Sequence, residues 1–113
     1  MIPKTLNFKK QYQGNSFNGW RFTMTDGNNA PIDLTNVSVL MQIKDRNGDT
    51  IYKNFTIGKG FTLISGTGGV IDLDPFINIS AGDYVFDITF NYGNNVIKTY
   101  AKGSYSVQSN SSN

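Results

Sequence analysis

The sequence predicts an all-β protein, an immunoglobulin-like antiparallel β-sandwich of about seven to nine strands. Three observations carry that expectation. Strand and turn formers dominate: of 113 residues, 14 are Asn, 12 Gly, 10 Thr and 9 Ser, while only 3 are Ala, so strong helix formers are scarce. Apolar residues recur at every second position in short runs, and no run keeps a helical period. Turn signals separate these runs about every ten residues, without room for a crossover helix, which favours two antiparallel sheets packed face to face.

The elements follow in order. A first strand falls within 4–12, with Leu6 and Phe8 on one face, and Gly14-Asn15 turns the chain. A second, over 16–25, places Trp20, Phe22 and Met24 on one side and Arg21, Thr23 and Thr25 on the other, the pattern of a half-buried antiparallel strand. Asp26-Gly27-Asn28-Asn29 is a turn. The run 31–35 reads as an edge piece, because Pro31 cannot donate to a ladder. From 36 to 45, Val37, Val39, Met41 and Ile43 alternate with polar residues as a central strand, and Asn47-Gly48 closes a hairpin onto 50–57. After Gly58-Lys59-Gly60 come strands at 61–64 and 70–74, reversed by Gly66-Thr67-Gly68-Gly69. The segment 75–80 suits one helical turn. The clearest strand is 84–92, with Tyr84, Phe86, Ile88, Phe90 and Tyr92 on one face. Gly93-Asn94-Asn95 turns it into a last strand over 96–107, which places Ile97, Thr99, Ala101, Tyr105 and Val107 together, and Gly103 suggests a bulge or a close backbone approach.

One domain spans 1–107, and a polar tail occupies 108–113. The predicted core is Trp20, Phe22, Met41, Ile43, Phe86, Ile88 and Phe90. Burying each large apolar side chain contributes roughly 1.5–3 kcal/mol, which must offset the ordering entropy without a covalent staple.

Composition also narrows the chemistry. The chain has no Cys, no His and no Glu; all eight acidic residues are Asp. Disulfides, zinc fingers, Ser-His-Asp and Cys-His nucleophiles and dithiol redox chemistry therefore lack their residues. A net charge of +2 is too small to attract nucleic acid or an anionic membrane by charge alone. No apolar run reaches the roughly 18 residues of a membrane span, and the N-terminal residues lack a secretory signal pattern. No enzyme, no cofactor and no metal is expected.

Individual motifs have simpler structural roles. Asp72 and Asp74 share a strand face roughly 7 Å apart, a spacing suited to glycosidic acid–base work, but solvated carboxylates that protect a sheet face explain them more simply. Asp45-Arg46-Asn47-Gly48-Asp49 matches the opening of a calcium loop, yet Gly48 is fourth rather than sixth and the twelfth residue is Thr56. A turn accounts for it, and for Asp26-Gly27-Asn28. Gly66–Gly69 lacks the Lys-Ser/Thr of a phosphate loop. Four Asn-x-Ser/Thr triplets start at Asn36, Asn54, Asn78 and Asn110. Tyr12, Tyr52, Tyr92, Tyr100 and Trp20 are candidates for a stacking platform. Of these, Tyr52 and Tyr100 fall out of phase with the apolar positions of their strands, and are expected to be exposed as a candidate interaction surface.

Taken in order, Gly14-x-x-Phe17, Asp26-Gly27, 31–35 (Pro-Ile-Asp-Leu-Thr), 41–44 (Met-Gln-Ile-Lys), Gly48, Gly82-Asp83-Tyr84-x-Phe86-Asp87-Ile88 and Thr99-Tyr100-x-x-Gly103-x-x-x-Val107 form a series. It resembles the immunoglobulin-like N-terminal domain of upper baseplate proteins and related small virion proteins of tailed bacteriophages. The likeness runs from Phe8 to Val107. It implies a structural virion protein that docks a fibre, tail, baseplate or head-tail component, made in the bacterial cytoplasm and partnered by other virion proteins, as a homo-oligomer or in a ring. Upper baseplate proteins carry a long C-terminal extension and this chain ends at Asn113, so a small accessory protein is an equal expectation. The alternative is a carbohydrate-binding or adhesin module.

Overall fold

The computed structural model describes residues 4–6, 8, 10–17 and 19–109. Among them are eleven strands and no helix: β1 (Lys4–Thr5), β2 (Gln11–Tyr12), β3 (Ser16–Phe17), β4 (Trp20–Thr23), β5 (Ser38–Asp45), β6 (Ile51–Ile57), β7 (Gly60–Ser65), β8 (Val70–Leu73), β9 (Phe76–Ile77), β10 (Gly82–Gly93) and β11 (Val96–Gln108). The all-β class is as expected. The strands run β1-β11-β10-β5-β6-β7-β8-β4 in one sheet, with β2 also on β11, while β3 and β9 form a separate pair. This sheet curls into a half-barrel. It is mixed rather than purely antiparallel, because β1 and β2 run parallel to β11 and β6 runs parallel to β7.

The curl turns at the β6–β7 corner. Thr56 and Lys59 exchange two backbone hydrogen bonds of 2.9 Å, and Gly58 and Gly60 take φ of 92° and 102°, which side chains other than glycine rarely adopt. A Cβ at Gly60 would also lie 2.4 Å from the Phe55 ring. The corner therefore lets Phe55 and Phe61 face the same interior, where Val39, Met41, Ile43, Ile71, Leu73, Phe86, Ile88 and Phe90 are buried.

Trp20 departs from its predicted core position and is 41% exposed. The predicted strand 16–25 breaks at Gly19, whose φ is 95°, and Trp20 opens β4 at the rim. One face of its ring stacks on Phe22, with centroids 5.8 Å apart, and Phe8 meets it edge-on at 4.7 Å. The segment 75–80 is not a helical turn: β9 is extended and pairs with β3, and Phe17 stacks on Phe76 at 5.2 Å. Only Pro31 of the predicted edge piece bridges, to Thr25, while Leu34 is buried and its N–H donates to Gly66 O. The hairpin between β10 and β11 turns on Asn94 and Asn95, both left-handed, as a tight primed turn requires.

Among the described residues, four register shifts interrupt the sheet, one of them beside the β10–β11 turn, between Asn91 and Gly93; the other three lie within the paired strands as bulges. Ile43 pairs with Lys53 and Lys44 with Ile51, leaving Tyr52 extra; Leu63 and Ser65 flank Ile64 in the same way against β8; Ala101 and Thr99 flank Tyr100 against β10. One extra residue reverses which face the following side chains take. This explains why Ile97, expected beside Ala101, Tyr105 and Val107, is instead 63% exposed while those three are buried. Gly103 is a close approach rather than a bulge: its Cβ would fall 1.4 Å from the Leu6 carbonyl oxygen.

Candidate interaction surface

The two tyrosines singled out by phase occupy opposite environments. Tyr52 is 47% exposed at the β6 bulge, its ring edge-on to Tyr84 at 5.0 Å. Tyr100 is only 4% exposed, which overturns the expectation of a second surface tyrosine. Its bulge turns the ring inward to stack on Phe90 at 4.9 Å, and its hydroxyl accepts the Thr25 N–H at 3.1 Å. The structure thus does not bring Tyr52 and Tyr100 together.

The carboxylates are committed to local structure. Asp72 accepts a bidentate pair from Arg21 at 2.7 and 3.0 Å, and this hydrogen bond holds its carboxyl below the usual range while raising the guanidinium. Asp74 accepts the Thr62 hydroxyl at 2.8 Å. Asp26 and Asp45 cap their own turns, bonding the N–H of Asn28 and Ala30 and that of Asp49. Hydrogen bonds from the Thr35 side chain first and from its N–H second hold Asp33 below its ordinary pKa; Asp87 pairs with Lys44 at 3.0 Å, and Asp83 accepts the Ser106 hydroxyl. Among the described residues no group of three or more His, Cys, Asp or Glu could hold a metal ion. Among the described residues no helix is long and apolar enough to cross a membrane.

Sequence reasoning missed a polar centre. Asn78, read only as a glycosylation triplet, is buried: its side chain accepts the Tyr105 hydroxyl and donates to Asn15 O at 2.8 Å, and its N–H donates to the same carbonyl. Burial pushes the Tyr105 hydroxyl far above its ordinary pKa. This network ties β11 to the turn after β2 and leaves Asn78 inaccessible to a glycan. Asn36 and Asn54 are exposed, and Asn110 lies outside the described residues.

Six of the ten large exposed apolar residues among those described lie toward one end of the sheet, while Tyr12, Trp20, Ile51 and Tyr52 lie toward the other. The β10–β11 hairpin, the end of β6 and the upper part of β7 point the same way in the sheet. They carry Tyr92, Val96, Ile97, Ile57, Leu63 and Ile64, all at least partly exposed. The edge of β11 is covered by β1 and β2, so the sheet ends at these two-residue strands on one side and at four-residue β4 on the other. Comparison with family models, with curated proteins and with solved structures finds no match.

Proposed function

We propose that this chain is a non-enzymatic structural protein of a tailed-bacteriophage particle, a docking module of its tail, baseplate, fibre or head-tail region. The observation that carries the reading is the apolar end: six exposed apolar side chains lie toward the end where β6, β7 and β10 finish, and exposed apolar surface of that kind marks contact surfaces. Its partners are other virion proteins, with self-association in a ring or oligomer, rather than nucleic acid or membrane. The commitment of seven Asp side chains to turns, hydroxyls and ion pairs supports a role without catalysis.

The immunoglobulin-like part of the reading draws support from strand order. Divided at the β6–β7 corner, the sheet gives β4-β8-β7 and β1-β11-β10-β5-β6, which corresponds to the B-E-D and A′-G-F-C-C′ groupings of that fold. Tyr84, near the start of β10, donates its hydroxyl to Ser80 O at 2.6 Å, the arrangement of a tyrosine corner. Gly82 lies under that ring, its Cβ position 3.2 Å from the ring tip.

Purified particles from a bacterium expressing the gene provide the test. Mass spectrometry and cryo-EM are expected to find the chain in the particle, and Ile97→Asp with Ile64→Asp is expected to remove it without lowering the melting temperature. Absence from particles, together with a strictly monomeric chain in analytical ultracentrifugation, would overturn the reading. One feature favours the carbohydrate-binding alternative: half-exposed Trp20 beside a groove of about 260 Å³ bordered by Arg21, Asp72 and Asp74. Quenching of this single tryptophan's fluorescence by oligosaccharides would favour it over docking.

A further inference from the structure

We propose that the segment bearing β1, Leu6, Phe8 and β2 is an exchangeable arm, and that the groove along β11 receives the same arm from a second copy of the chain. This inference stands independently of the phage reading.

The groove is shaped for that segment. Gly103, opposite Phe86 in the β10–β11 register, leaves the space in which the Leu6 carbonyl sits; any side chain there would collide with it, at 1.4 Å for the first carbon. The Leu6 N–H donates to Lys102 O at 2.9 Å and the Gln13 N–H to Gln108 O at 2.8 Å. Between these bonds Phe8 is buried, its ring 4.7 Å from Trp20 on β4 and 4.8 Å from Phe86 on β10, so it links the β4 end of the sheet to the β10–β11 side. Main-chain pairing along an edge with one aromatic anchor in a socket is the logic of strand addition. Every copy of the chain carries a segment that fits.

Among the described residues the main-chain pairing of the seat is short, and side-chain contacts do most of the holding: Gln13 accepts the Ala81 N–H at 3.1 Å and Phe8 packs among five rings. β1 and β2 each pair with β11 over two residues, and the Phe8 N–H reaches Ser104 O only at 3.4 Å. A cavity of about 650 Å³ opens beside Thr5, between the arm and the outward side chains Val85, Asp87 and Lys102. The following turn contains Gly14, with a φ of 82° and nothing within 4 Å of an added Cβ, a hinge with open space around it. Exchange rebuilds the same contacts in trans, which is why swapping such an element is a low-cost route to a dimer.

The chain contains no cysteine, so crosslinking reads the exchange cleanly. Thr5 and Lys102 are Cα partners. Thr5→Cys and Lys102→Cys chains are made separately, mixed, partly unfolded, refolded at high concentration and oxidised. Exchange gives a covalent dimer with a mapped 5–102 bond, several-fold above the yield from Thr5→Cys mixed with Lys59→Cys, and Phe8→Ala in the Thr5→Cys chain returns the yield to that background. The Thr5→Cys/Lys102→Cys double variant controls for folding and geometry. If it forms the bond within one chain while the mixture never exceeds background, the arm is fixed in cis and the proposal is overturned.

Discussion

Tyr52 and Tyr100 are the same local event with opposite outcomes. Each is the extra residue of a β-bulge, one against β5 and one against β10, yet the first is half exposed and the second is buried. The difference lies in what the curled sheet places over each bulge. Tyr100 sits in the body of β11, where the curl brings the end of β4 within reach, so its ring finds Phe90 and its hydroxyl finds the Thr25 N–H. Tyr52 sits next to the β5–β6 turn, near the end of the sheet, and meets only the edge of Tyr84 among described rings. A break of phase in a strand therefore reports a bulge, and burial is decided by the opposing layer.

The largest expected effect separates them directly. Tyr100→Ala removes a stacked, buried ring and is expected to destabilise by about 3–5 kcal/mol, read as a fall in the urea midpoint at unchanged slope. A loss below about 1 kcal/mol would place the ring outside the core and break the comparison. Tyr100→Phe keeps the stack and deletes the hydroxyl that accepts the Thr25 N–H, so the same measurement is expected to give about 1 kcal/mol. A loss as large as that of alanine would transfer the weight from the ring to the hydroxyl.

Much of the fold was readable in residues whose roles are local. The alternation from Tyr84 to Phe90 and from Val39 to Ile43 marks buried faces that the structure keeps, and Asp26, Asp45, Asn94 and Asn95 make turns through their own side chains or left-handed backbone. What escaped depends on contacts distant in sequence. Trp20 keeps the parity of Phe22 but stands at a rim set by the break at Gly19. Asn78 is buried because Asn15 and Tyr105 arrive from elsewhere to satisfy it. Residues 75–80 have the length of a helical turn, and pairing of β9 with β3 extends them. The candidate surface was half legible for the same reason: phase identified Tyr52 and Tyr100, and only the curl distinguishes them.

Tyr52→Ala is expected to cost less than about 1 kcal/mol, since it loses one edge contact at a half-exposed site. A larger loss would show that the bulge at β6 is as well covered as the one at β11.

The smallest effect is a titration. Burial first, and the neighbouring Tyr52 second, raise the Tyr84 hydroxyl above its ordinary pKa. Tyr52→Phe keeps the ring and removes the second ionising group, so Tyr84 is expected to titrate at lower pH than in the parent, while burial still holds it above the ordinary value of about 10. Because the folded-state pKa is raised, the unfolded chain releases this proton first; the associated stability is complete below the ordinary tyrosine range and falls as pH rises through the folded value. In Tyr52→Phe the two values lie closer and that alkaline loss is shallower, as ultraviolet difference absorbance and urea midpoints at high pH can follow. Tyr100→Phe is expected to leave the Tyr84 titration in place, since its ring belongs to the other bulge. A shift of equal size in both variants would couple the two sites and remove the distinction that the curl creates.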